Sequence, residues 1–260
     1  MKAYQKVQAA RELSRISSLE IIDKLCSEFM EFHGDRLMHD DRAIVTGVGL
    51  MDEQPITIIG IQKGHNMKTN IMRNFGSVGP AGYRKAQRMM RQAEKFGRPV
   101  LTLINTAGAH CAPESEENGI GEAIASTLLT MSQLTVPSLA IILGEGGSGG
   151  AIALALADEV WMLENSVYSI LSPEGFASIL WKNSKLASKA ADYMKLTADD
   201  LFELNVIDKI IEEVDELGQP IDQNHFTNHL INEIKAKINA LLSMKPENRL
   251  EKKYQRFRQY

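Results

Sequence analysis

A chain of 260 residues with 44% hydrophobic and 24% charged residues has the profile of an ordinary soluble globular protein, long enough to bury one large core. Its net charge of −4 provides no global positive field, which excludes nucleic acid and anionic membranes as partners except through a local patch. Cys26 and Cys111 lie far apart and outside any Cys-x-x-Cys spacing, excluding a disulfide framework and a protein-built zinc site and fitting a reducing cytoplasm.

The N-terminal stretch from Met1 to Arg15 carries charges throughout and no apolar core of a signal peptide. No apolar run approaches the roughly 20 residues of a membrane span. Ser17 and Glu20 stand in capping-box spacing ahead of Ile21, Ile22, Leu25 and Phe29, which predicts an amphipathic helix running to about Gly34. Ala43–Leu50 and Pro55–Ile61 are β-rich runs around the polar Met51-Asp52-Glu53-Gln54, a hairpin with a short loop. From Pro80 to Phe96, Tyr83, Ala86, Met89, Met90 and Ala93 recur at helical spacing, and Gly97-Arg98-Pro99 stops the helix.

A strand at Val100–Ile104 opens an alternating series. A glycine-containing turn is followed by a helix over Ile120–Leu134, a buried strand Ser138–Leu143, and a glycine cluster that opens a helix at Ser148. Strands at Glu159–Leu163 and Val167–Leu171 come next. The alternation requires crossover connections, hence an α/β fold with a substantially parallel sheet and functional loops at the carboxyl ends of its strands. Beyond Ser172 the chain is helical to about Glu203, then forms a short strand Val206–Ile211, a polar segment Asp215–Asn224, a helix Phe226–Leu242 and a basic tail Arg249–Arg258.

The cluster Gly144-Glu145-Gly146-Gly147-Ser148-Gly149-Gly150-Ala151 strips side chains from a strand-to-helix junction and leaves backbone N–H groups. At a helix start these donors have no partner within the helix and the macrodipole is positive, which suits a developing oxyanion or a phosphate. The plainer reading is that glycine serves close helix–strand packing or a turn with positive φ. Gly146, Ser148 and Gly150 also satisfy Gly-x-Ser-x-Gly, the pattern of a serine-hydrolase elbow, which then requires Asp208 or Asp215 with His225 or His229 as the remaining triad.

Gly34-Asp35-Arg36, Asp41 to Gly47, Gly60-Ile61-Gln62-Lys63-Gly64, Arg73-Asn74-Phe75-Gly76, Gly82-Tyr83-Arg84-Lys85-Ala86, the glycine cluster, and Ser172-Pro173-Glu174-Gly175 through Lys182 together resemble the alpha subunits of bacterial acetyl-CoA carboxyltransferases. The similarity covers nearly the whole chain, including Tyr254-Gln255-Arg256; longer members carry a further N-terminal helical extension. The resemblance implies a crotonase-like superhelix of β-β-α units with flanking helices, forming a single carboxyltransferase domain over 1–260 with a helical lead at 1–33 and a helical tail at 226–260. The implied reaction moves a carboxyl group from carboxybiotin, borne on a separate carrier protein, to acetyl-CoA, giving malonyl-CoA for fatty acid biosynthesis in the cytoplasm.

By the same resemblance Gly149 and Gly150 form the biotin-side oxyanion hole, with Gly146 and Gly147 as supporting donors. The implied partners are a zinc-ribbon-bearing beta subunit in an alpha2beta2 core, biotin carboxyl carrier protein and biotin carboxylase, with no metal in this chain itself. Between Lys63 and Arg98 nine Lys or Arg face a single acid, Glu94, a positive lobe suited to coenzyme A phosphates. Lys63, Arg73 and Arg84 are the candidate ligands there, with Gly108 and Ala109 in the loop after the first parallel strand. That loop, Asn105 to Ala112, departs from the family pattern Asp-Thr-Pro-Gly-Ala-Tyr-Pro-Gly at Asn105, Ala107, His110, Cys111 and Ala112. The loss of two prolines loosens it unless other contacts fix it, which leaves a catalytically weakened acyl-CoA-binding paralogue as another reading. His110 is a candidate general base.

Overall fold

The computed structural model describes residues 1–215 and 217–259. The chain opens with α1 (Ala3–Ala10) and α2 (Ser18–Leu25), followed by β1 (Phe29–Glu31), the hairpin β2 (Ile44–Met51) and β3 (Gln54–Ile61), a short α3 (Met67–Met72), α4 (Pro80–Phe96) and β4 (Val100–Thr106). Then come α5 (Pro113–Glu117), α6 (Ile120–Gln133), β5 (Ser138–Gly147), α7 (Ser148–Ala155), β6 (Glu159–Leu163) and β7 (Val167–Ser169). The remainder is α8 (Pro173–Trp181), α9 (Ala187–Met194), α10 (Ala198–Glu203), β8 (Lys209–Ile211), α11 (Gln223–Ser243) and α12 (Pro246–Phe257).

One eight-stranded sheet runs β1-β2-β3-β4-β5-β6-β8, with β7 paired to the far end of β5. The two pairs at the β1 edge are antiparallel and all others are parallel. Along β4 and β5 successive side chains enter opposite cores: Val100, Ile104, Ala140 and Ile142 face α4, α6 and α7, while Leu101, Leu103, Leu139 and Ile141 face α2 and α11. Coverage on both faces is why these strands read as unbroken apolar runs. Each fully buried aliphatic side chain contributes about 1.5–3 kcal/mol. The helix α4 has the bounds its sequence predicts because Pro80 presets its first turn and Gly97, at φ +66, closes it in the left-handed region.

Three boundaries correct the sequence reading. The capping box at Ser17 and Glu20 forms, but α2 ends at Leu25 and Phe29 belongs to an edge strand. Phe29 continues the helical apolar spacing, yet it packs over β2, where a Cβ at Gly47 would lie 2.3 Å from its ring and one at Gly49 would lie 2.4 Å from Cys26 Sγ. These bare glycines make room for the strand, so pairing prevails over helical periodicity. Secondly, β5 continues past Leu143 to Gly147 because β7 supplies a second partner at Glu145–Gly147. Thirdly, the short strand expected from Val206 begins only at Lys209. Within the helical tail, the basic segment forms α12, whose Arg249 and Lys253 are buried: Arg249 pairs with Asp158 at 3.3 Å, and Lys253 Nζ donates to the Met131 carbonyl at 2.9 Å.

Candidate active site

The parallel strands β4 and β5 end side by side, and the segments leaving them form one surface. The β4–β5 register shifts between Ile104 and Thr106, and Asn105, at the irregularity, accepts a hydrogen bond from Glu145 N through Oδ1 at 3.1 Å. The next turn is held by its own residues. Thr106 Oγ1 donates to the Gly108 carbonyl at 2.8 Å and accepts from Gly108 N at 3.1 Å. His110 N donates to the Val78 carbonyl at 2.9 Å, and its Nδ1 lies 2.8 Å from the buried Ser115 Oγ. These contacts replace the restraint of the absent prolines, and they give His110 a positioning role in the loop.

Opposite this turn, Ser148 bends the chain from β5 into α7 with φ +53, a left-handed conformation that costs a non-glycine residue about 1–2 kcal/mol. Ser148, Gly149 and Gly150 are the first residues of α7, so their N–H groups have no acceptor within the helix. Ala109 N–H, from the facing loop, has no acceptor among the described residues. Gly146 and Gly147 are sheet residues, in register with Tyr168 and Ser169 of β7; the ladder competes for their amides, which separates them from the free helix start.

The glycines differ in what requires them. A Cβ at Gly147 would lie 2.0 Å from the Ala107 carbonyl oxygen; one at Gly150 would lie 2.7 Å from Ala109 N and 2.8 Å from the Tyr83 hydroxyl. Both positions are bare so that the loop can lie directly on the junction. At Gly149 a Cβ would meet only Ile124, at 3.4 Å. The plain packing reading therefore holds for Gly147 and Gly150, and it is compatible with helix-start amides that have no acceptor within α7.

Of the basic residues, Lys63 reaches this surface but is paired, its Nζ 2.8 Å from Glu145 Oε2. Glu145 also pairs with Arg11 Nε at 2.9 Å, and Arg11 holds Glu174 through two further bonds at 2.9 and 3.1 Å. The Arg11 hydrogen bond is the main reason that the Glu174 carboxyl is lowered to about 2. Arg84 is committed to Asp35 at 3.1 Å and to the Asn118 carbonyl, and the buried Lys85 to Asp40 at 2.7 Å. Arg73 donates to the Arg42 carbonyl, and burial lowers its pKa. Much of the expected positive lobe thus braces the fold as well, Arg84 among it. Sequence reasoning missed Arg11 and Glu145 because nothing local marks them; their link spans 134 residues.

The hydrolase triad does not assemble. Asp208 Oδ2 accepts from Val160 N and lies 2.6 Å from Arg256, while Asp215 Oδ1 accepts from Leu217 N and Gln219 N. His225 and His229 lie on α11, across the sheet from α7. Among the described residues no hydrogen bond joins Ser148 to a histidine, and no cluster of His, Cys, Asp or Glu could hold a metal ion.

A mostly parallel sheet covered on both faces, with a loop and a glycine-opened helix facing each other at its strand ends, is an α/β architecture that solved carboxylase and decarboxylase chains share. Solved structures agree on the fold. A transcarboxylase 12S chain superposes with TM-score 0.71 at 15% identity, over 89% of this chain and 42% of that one. A Pseudomonas malonate decarboxylase hetero-tetramer chain, solved with coenzyme A, gives 0.65 at 13% identity over 81% and 84%. The family model described as acetyl co-enzyme A carboxylase carboxyltransferase-like matches residues 1–260. Acetyl-coenzyme A carboxylase carboxyl transferase subunits alpha from Clostridium acetobutylicum and Streptococcus pneumoniae are each 53% identical, over 98% of this chain and 93% and 98% of theirs. The chain belongs to the acetyl-CoA carboxylase carboxyltransferase alpha-subunit family.

Proposed function

We propose that this chain provides the biotin side of the carboxyltransferase reaction, with Gly149 and Gly150 as the main-chain donors and the Gly108–Ala109 turn as the opposite wall. The observation that carries this reading is the facing pair of amide sources: the first turn of α7 and the acceptor-free Ala109 N–H. Carboxybiotin on a separate carrier protein supplies the carboxyl group for acetyl-CoA. What this chain contributes is a set of fixed donors where negative charge grows on the biotin ureido oxygen. Loss of one donor of this kind costs about 10²–10³ in rate. Glu145, the acid beside the donors, is neutralised by Arg11 and Lys63 and so does not oppose the charge.

The reading takes residues 1–260 as one carboxyltransferase unit that works with a zinc-ribbon-bearing beta subunit in an alpha2beta2 core. The beta subunit supplies the acyl-CoA side, and biotin carboxyl carrier protein and biotin carboxylase complete the cycle in the cytoplasm. No helix among the described residues is long and apolar enough to cross a membrane. The test is malonyl-CoA formation by the chain assembled with a matched beta subunit and carboxylated carrier. Gly150→Val, whose Cβ would lie 2.7 Å from Ala109 N, should lower turnover at least 10²-fold while assembly persists; unchanged turnover refutes the reading. A fluorophosphonate should leave Ser148 unlabelled in the active complex.

A further inference from the structure

Tyr83 is among the largest fully buried side chains, and its hydroxyl has no hydrogen-bond partner among the described residues. Buried tyrosines ordinarily satisfy that group, and an orphaned one bears the cost of its lost hydration. The surrounding side chain is well accounted for: the ring packs in the core between the sheet and α6, and the backbone carbonyl accepts from Thr127 Oγ1. The hydroxyl alone is left over, and it lies against Gly150. A Cβ there would be 2.8 Å from Tyr83 Oη and 2.7 Å from Ala109 N, so a side-chain donor and a main-chain donor without acceptors reach the same face of the same glycine. Burial is the main cause that raises the phenol above its ordinary pKa, with the Asp41 charge adding to it; the group is a neutral donor at every working pH.

We infer that Tyr83 is a further donor of this site, its hydroxyl hydrogen-bonding the oxygen that draws on the Ala109 and α7 amides in the occupied state. The inference rests on the function proposed above and adds to it a side chain from α4, which no glycine motif reveals. A bound anion gives the phenol the acceptor that the protein itself does not provide.

The test uses Tyr83→Phe in the chain–beta subunit complex with carboxylated carrier, alongside 13Cζ-tyrosine labelling of the unsubstituted complex titrated with free biotin. Removal of an unpartnered hydroxyl should leave the melting temperature equal or higher, whereas turnover should fall 10–100-fold with KM for acetyl-CoA unchanged. The resonance absent from the Tyr83→Phe spectrum should shift saturably with biotin. A variant that turns over as the unsubstituted protein does, or a Tyr83 resonance that biotin does not move, overturns the inference. An inactive unsubstituted complex defeats the proposed function instead, a result distinguishable from either.

Discussion

Replacement of Gly150 by alanine separates the two duties of the glycine cluster. The added methyl would stand 2.7 Å from Ala109 N, 2.8 Å from the Tyr83 hydroxyl and 3.1 Å from the Gly108 carbonyl carbon. Two of these neighbours are backbone atoms of a turn pinned by Thr106 and by the His110–Val78 bond, so no side-chain rotation relieves the contact. To restore ordinary van der Waals spacing, Ala109 N must retreat from 2.7 Å to at least 3.4 Å. Overpacking of this size costs about 1–3 kcal/mol, and a displacement of about 1 Å between catalytic walls lowers turnover by about 10²-fold. Gly149→Ala is the matched comparison, since its methyl meets only Ile124 at 3.4 Å and it should leave the melting temperature at or above that of the unsubstituted chain. The assay pairs thermal unfolding with malonyl-CoA formation in the complex. Equal stability and equal turnover in Gly150→Ala would falsify the view that loop and helix start are held in direct backbone contact.

Arg84→Met removes the partner of a carboxylate whose side chain is 1% exposed; denaturant unfolding should show a loss of about 3 kcal/mol, whereas KM for acetyl-CoA stays constant, and a large rise in KM would mark Arg84 as a ligand. The Glu174 carboxyl, lowered from 4.5 to about 2 by Arg11, holds α1 to α8 by a contribution fully present above pH 4.5 and lost as pH falls through 2. Hydrogen exchange of α1 should accordingly rise across that window in the unsubstituted chain and be already elevated at pH 7 in Glu174→Gln; identical profiles count against the clamp. Arg249→Ala removes a buried cation that pairs with Asp158 and donates to the Thr135 carbonyl. Limited proteolysis should then release α12 ahead of the rest of the chain, and co-cleavage with the sheet would show that the helix is not a separately docked strap.

The amino-acid sequence alone determines the elements whose cues are local. The cap at Ser17, the Pro80 start and Gly97 stop of α4, the apolar runs of β4 and β5, and the glycine-opened start of α7 each follow from neighbouring residues, and together they specify a parallel α/β sheet. The motif order in turn specifies the family. Tertiary structure decided everything that depends on which distant residues meet. Phe29 became strand because Gly47 and Gly49 leave room over β2, and β5 absorbed half the glycine cluster because β7 pairs with its end. Lys63 and Arg84, legible only as positive charge, found acids at Glu145 and Asp35. Tyr83, legible as core, carries an unpartnered hydroxyl against Gly150. Periodicity and capping act within a few residues along the chain, whereas ion pairing, close backbone approach and hydrogen-bond satisfaction act through space between segments that only the folded sheet brings together.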